Sequence, residues 1–158
     1  YIVEQLGQHA DKKFCNIVTG DLGLETEEEK ADMEKREADV KNVLDFVKET
    51  LGDKVAVVRL SRKLVSAPVC LTTEGSITLE MERYFKRMPD TGMEPPKARR
   101  VLELNADHPA FKALEAAVAS DPEKAKKLVN ILHSQALLIA GEELEDPSAY
   151  AEDVCSLF

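Results

Sequence analysis

The stretch that most constrains this chain is LVNILHSQALLIA, residues 128–140, in which nine of thirteen residues are apolar. On a helix turning about 100° per residue, Leu128, Leu132 and Ile139 share one face. Ile131 and Leu138 flank that face on one side, and Val129, Ala136 and Ala140 on the other. The arc is wider than the stripe of roughly 100° that an ordinary surface helix carries. A bilayer span needs about 20 apolar residues, and Asn130, His133, Ser134 and Gln135 interrupt this run. Protein therefore has to cover the helix on two sides. Gly141 ends it, and Asp146-Pro147 opens another as N-cap and first helical residue. Tyr150, Val154, Leu157 and Phe158 then recur at i, i+4, i+7 and i+8. Two such helices cover each other only in part, so a second copy of the hairpin is expected to cover the rest. The expected four-helix dimer interface runs through Leu128, Ile131, Leu132, Gln135, Leu138, Ile139, Tyr150, Val154, Leu157 and Phe158.

The remaining 120 or so residues add a charged, aromatic-poor body without tryptophan, enough in all for one compact domain or a small domain with an appendage. A formal net charge of −9 argues against nucleic acid or an anionic membrane as the main partner, since neither attracts such a chain over distance. No apolar run is long enough for a signal-peptide core or a membrane span. Cys15, Cys70 and Cys155 are widely spaced and form no zinc pattern with the three histidines. They read as buried or incidental thiols of a reducing cytosol. The chain opens on Tyr1, not methionine, so a fragment of a longer protein is expected.

In residues 1–24, Ile2, Val3 and Leu6 suit a short helix, residues 14–18 have strand chemistry, and Gly20-Asp21 reads as a turn. This segment looks like the tail of a preceding domain. Residues 25–39, ETEEEKADMEKREAD, read as a solvated helix start or linker, favoured at a helix N-terminus by the macrodipole. They lack the ligand spacing and glycine of a calcium loop. Val40, Val43, Leu44, Val47 and Leu51 then share a helix face that Gly52 closes. Residues 54–60, 68–73 and 101–104 read as three strands. Arg59, Arg62 and Lys63 form a basic patch, read as an ion-pair surface for the acidic helix in preference to a phosphate site.

Ser76 is the expected N-cap of a helix over residues 76–88, with Ile77, Met81, Tyr84 and Phe85 as an apolar stripe and Met88 close by. Periodicity alone favours a core-facing stripe. A methionine among aromatics also suits an adaptable binding surface, and the proline- and glycine-bearing residues 89–100 that follow leave the helix between two connections. Phe111, Leu114 and Val118 are the buried side of a short helix, and Ser120-Asp121-Pro122 caps the next. His108 and His133 have no acid or thiol in a catalytic spacing and read as a cap and an interface residue. No Gly-rich phosphate loop, nucleophile elbow or HExxH occurs. No catalytic residue and no metal ligand is expected.

Four ordered runs carry a resemblance: VVRLSRKLVSAPVCL (57–71), MER (81–83), LELNADHP (102–109) and QALLIAGEELEDPSAY (135–150). Together they resemble the C-terminal part of the Hsp90 chaperones, most of all the bacterial form, over nearly the whole chain. The resemblance implies an α+β fold: a small three-stranded, mainly antiparallel sheet packed with helices, ending in a hairpin that forms a four-helix-bundle dimer interface. Residues 1–24 resemble the end of the family's middle domain, and residues 25–158 its C-terminal dimerisation domain. The family's ATP and Mg site lies in an N-terminal domain and its catalytic arginine in the middle domain, both outside this stretch. The helix that matches residues 76–88 projects apolar side chains between protomers towards client proteins. The positions so implied are Ile77, Met81, Tyr84, Phe85 and Met88, with Ile77 standing where the family often has methionine. The chain stops at Phe158 without the MEEVD-type tail of eukaryotic cytosolic members, which favours a bacterial, cytoplasmic protein or an organellar one.

The function so implied is homodimerisation and the binding of non-native client proteins, within an ATP-dependent chaperone that assists protein folding. The other class of reading is a structural dimeric scaffold with no client surface. An enzymatic role for this stretch would need convergent titratable groups in a pocket, and the sequence offers no such constellation.

Overall fold

The acid-rich run condenses into helix α1, Glu27–Asp39. A computed structural model describes residues 8–9, 12–13, 27–88 and 96–158 of the chain. The short helix expected near Ile2 and the strand expected over residues 14–18 lie outside the described residues. Gln8–His9 (β1) and Lys12–Lys13 (β2) form a small antiparallel pair.

Helix α2, Lys41–Leu51, turns the stripe of Val43, Leu44, Val47 and Leu51 into the centre of the molecule, with Val40 packed at its edge. Gly52 ends it at φ 55°, a left-handed conformation that a glycine adopts without strain. The Lys48 ammonium donates to the carbonyls of Gly52 (2.6 Å), just past the helix end, and Val55 (2.8 Å), beyond the turn that follows, and so ties the two together. A 3-10 turn over Gly52–Lys54 leads into the sheet.

The strands are Val57–Leu60 (β3), Val69–Glu74 (β4) and Arg99–Leu104 (β5), in the order β3-β5-β4. β5 is central. It runs parallel to β3, from Val57↔Val101 to Leu60↔Leu104, and antiparallel to β4 over the longer register from Val69↔Leu104 to Glu74↔Arg99. The sheet is therefore mixed. As the middle strand, β5 buries Val101, Leu102, Glu103 and Leu104 in succession, the near-continuous pattern of a strand covered on both faces.

Between β4 and β5 lies α3, Leu79–Arg87. After β5 come α4 (Pro109–Ser120), α5 (Pro122–Ile139) and α6 (Pro147–Cys155). All three begin alike, with proline in the first turn behind a capping side chain. His108 Nδ1 accepts from Ala110 N (3.1 Å), Asp121 Oδ1 from Lys124 N (3.1 Å) and Asp146 Oδ1 from Ala149 N (2.9 Å). Helix α5 packs against β4, α2, α4 and α6 at once. Its Val129, Leu132 and Ala136 join Val47, Leu102, Leu104, Phe111 and Leu114 in one core.

Three expectations need correction. The wide apolar arc of residues 128–140 is largely covered by the chain's own sheet and helices: Val129, Ile131, Leu132, His133 and Ala136 are all buried in the single chain. Ser76 is not the cap of α3. Gly75, at φ 90°, turns the chain out of β4, and Thr78 accepts the capping bond from Met81 N at 3.2 Å. Ile77 thus precedes the helix. Arg59 turns to the sheet and not to the acidic helix, with its Nη2 2.6 Å from Glu103 Oε1, its direct register partner across β3 and β5.

Candidate functional site

Among the described residues, α3 and the terminal hairpin leave apolar side chains outside the core. The first surface is α3. Its charges suit the helix dipole, with Glu80 and Glu82 in the first turn and Lys86 and Arg87 in the last. Its side chains are inverted relative to an ordinary amphipathic helix. The one buried residue is a carboxylate, Glu82, at 3% exposure. Tyr84 (63%) and Met88 (45%) are exposed, and Ile77, Met81 and Phe85 are half-buried. Among the described residues of this segment, Leu79 packs against the core cluster, whereas Met81 and Phe85 do not. The rings of Tyr84 and Phe85 stand edge to face, 6.0 Å apart.

Glu82 holds the helix down by polar contacts. Its Oε2 accepts from Ala98 N at 2.8 Å; its Oε1 lies 3.1 Å from Arg100 Nη2 and 2.8 Å from Lys86 Nζ. Burial pushes this carboxyl up, but Lys86, the Ala98 N–H and Arg100 together outweigh it and hold the group at about 2. The neighbouring Arg83 reaches the other way. Its Nη2 donates to Ala140 O at 3.2 Å, and its Nε sits 2.9 Å from Glu142 Oε1 as an ion pair off the hydrogen-bond line.

The second surface is the terminal hairpin. Leu138 (50%) and Ile139 (59%) in the last turn of α5 are exposed, as are Leu157 and Phe158 beyond α6. Leu128, Gln135, Tyr150 and Val154 are half-buried, and α6 has no buried residue at all. Ile131 and Leu132, expected on the same interface, belong to the interior. His133 lies there too, and its Nε2 has no hydrogen-bond partner among the described residues. Burial lowers its pKa first of all, and the nearby Lys54 and Arg100 add to this against the opposing Glu145. The Lys54–Glu145 ion pair (2.9 Å) ties the α5–α6 connection to the turn after α2.

A third polar cluster sits within the sheet. Glu103, 8% exposed, accepts from Arg59 Nε and Nη2 (3.1 and 2.6 Å), Ser61 Oγ (3.2 Å) and Thr72 Oγ1 (3.3 Å). Cys70 Sγ lies 3.8 Å from the same carboxylate. Burial and the Glu103 charge push its thiol up to about 11, the opposite of what a reactive cysteine needs. This is a satisfied buried charge, not a site. Among the described residues, no group of three or more His, Cys, Asp or Glu is placed to hold a metal ion. None of the described helices is long and apolar enough to cross a membrane.

The α+β fold with a three-stranded sheet and a terminal helical hairpin agrees with the fold that the four sequence runs imply. The family model described as Hsp90 protein matches residues 1–158, so the chain belongs to the Hsp90 family. Its curated relatives include the protein named Chaperone protein HtpG from Bacillus subtilis, 37% identical over 157 residues. Proteins of the same name from Clostridium acetobutylicum and Alkaliphilus metalliredigens are 40% and 41% identical over 157 residues. Each alignment covers 99% of this chain and 24–25% of the relative. The chain thus spans about a quarter of the length of the curated relatives it matches.

Proposed function

We propose that this segment is the homodimerisation and client-binding module of an ATP-dependent chaperone that assists protein folding in the bacterial cytoplasm. The observation that carries the client reading is the inversion of α3, a helix that buries a glutamate and turns Tyr84, Met88 and the edges of Met81 and Phe85 outward. Methionine and aromatic side chains adapt their shape and accept varied apolar partners, as a surface for non-native chains requires. The dimer reading is supported by apolar residues that the hairpin leaves uncovered: Leu138 and Ile139 in the last turn of α5, and Leu157 and Phe158 past α6, where Ser156 meets Lys127 near the start of α5.

In this account ATP and Mg bind in the parts of the longer parent outside this quarter. No step of ATP hydrolysis is assigned to this segment. The dimer would act by tethering. Two ATPase arms joined through the hairpins meet at a local concentration on the order of millimolar. Substituting Tyr84 and Met88 and measuring suppression of client aggregation tests the reading against a scaffold that merely dimerises.

A further inference from the structure

We infer that Arg83 and Glu142 are positioning residues that couple the pose of α3 to the end of the dimer hairpin. The inference rests on the proposed function for what the α3 stripe does and for the second protomer; the link between α3 and the hairpin rests on geometry. Helix α5 ends in a closed motif: Glu142 N donates to Leu137 O (2.9 Å) and Gly141 N to Leu138 O (3.1 Å), with Gly141 at φ 71°. That motif fixes Glu142 to the last turn of α5, the turn that carries the exposed Leu138 and Ile139. The Ala140 carbonyl points out of the same turn, at the negative end of the helix dipole, and accepts from Arg83.

Adjacent residues of α3 are therefore gripped from two directions. Glu82 is held by Arg100 and Ala98 N at the rigid central strand, and Arg83 by Ala140 and Glu142 at the hairpin. Glu142 Oε2 also lies 3.7 Å from Arg100, which closes a ring Glu82–Arg100–Glu142–Arg83. The Glu82, Glu142 and Arg100 side chains are 4%, 11% and 21% exposed, so water screens the contacts among these three less than surface pairs, while Arg83 is 38% exposed. With α3 pinned to the sheet through one residue and to the hairpin through the next, a shift of the last turn of α5 must rotate the helix. A second protomer that covers Leu138 and Ile139 presses on that turn, and the apolar stripe turns with it.

The test is amide hydrogen exchange along the whole chain in the wild type, Glu142→Gln, Arg83→Met and the double variant. Exchange in α3 is expected to quicken about tenfold in each single variant while β5 is unchanged. The effects of the two substitutions are expected to be less than additive in the double variant, because both remove the same Arg83–Glu142 ion pair. Unchanged α3 exchange in Glu142→Gln would overturn the inference. So would equal acceleration in α3 and β5, the mark of a general loss of stability. Arg83→Lys keeps the charge and loses the fork of donors; it should lie between wild type and Arg83→Met, and exchange faster than the methionine variant would also count against the link. None of these readouts needs a client or a dimer. A chain that neither dimerises nor holds clients can still show the coupling, and then only the proposed function fails.

Discussion

Glu82 Oε2 accepts the backbone N–H of Ala98 at 2.8 Å, which fastens a helix to the start of the central strand through a buried carboxylate. The contact explains why α3 can face its apolar residues outward. A helix of nine residues is marginal alone, and here charge-assisted hydrogen bonds replace the apolar packing that usually holds such a helix. The stripe is thereby left for other work.

Glu82→Gln should destabilise the chain by about 2 kcal/mol at pH 7, since it weakens hydrogen bonds to a charged acceptor. The effect should depend on pH. The carboxyl sits at about 2 when folded, against an ordinary 4.5. Between those values the unfolded chain binds the proton first, so the contribution is whole above pH 4.5 and is lost as pH falls towards 2. Urea unfolding from pH 7 to pH 2 should show wild type and variant converging. A gap that stays constant over this range would refute the role of the charge.

Leu132→Ala should cost about 2–5 kcal/mol in the isolated chain, the usual range for emptying a packed leucine site. Leu132 lies at 4% exposure among the core residues, so its loss is felt before any second copy binds. Ile139→Ala, on the exposed end of the same helix, should stay within about 0.5 kcal/mol under conditions where the chain is a monomer. Denaturation at low protein concentration compares the two, and similar losses would place Leu132 at the surface.

His133→Phe should be neutral to stabilising by about 1 kcal/mol at pH 7, because it removes a buried nitrogen that has no partner among the described residues. The charged groups around it are Lys54, Arg100 and Glu145, and its pKa lies below the ordinary 6.5. As pH falls below 6.5 the unfolded chain takes up this proton first and the wild type loses stability. The phenylalanine variant should lack this slope. Melting curves between pH 7.5 and 5 read it, and parallel slopes would contradict the assignment.

Tyr84→Ser with Met88→Ser should leave the melting temperature within about 2 °C of wild type, as exposed substitutions usually do, while reducing suppression of client aggregation several-fold. Light scattering of a heat-denatured client reads the second quantity. A large fall in melting temperature would return the stripe to the core, and full suppression would leave the scaffold reading.

Much of this fold was legible residue by residue. The face of Val43, Leu44, Val47 and Leu51 follows from helical spacing, and Asp121-Pro122 and Asp146-Pro147 announce their helices because cap and proline act locally. Thr78 was hidden behind Ser76, since either side chain can cap and only the turn at Gly75 decides between them. The Arg59–Glu103 pair needs the parallel register of β3 and β5, residues 44 apart. Glu82 carried no signal, because a glutamate on a helix reads as solvated until its partners 16 and 18 residues away are known. Periodicity said that the arc around Leu132 needs cover. It could not say that the same chain buries Val129, Ile131, Leu132 and Ala136 and leaves Leu138 and Ile139 exposed.

If the hairpin joins two copies, the mass in solution shows it most directly. Sedimentation equilibrium at about 10 μM should give twice the 17.5 kDa chain mass for the wild type. Ile139→Asp, which would bury an unpaired charge in the interface, should give the single mass with its melting curve otherwise intact. A wild-type chain that sediments as a monomer, or an Ile139→Asp chain that remains a dimer, would contradict it.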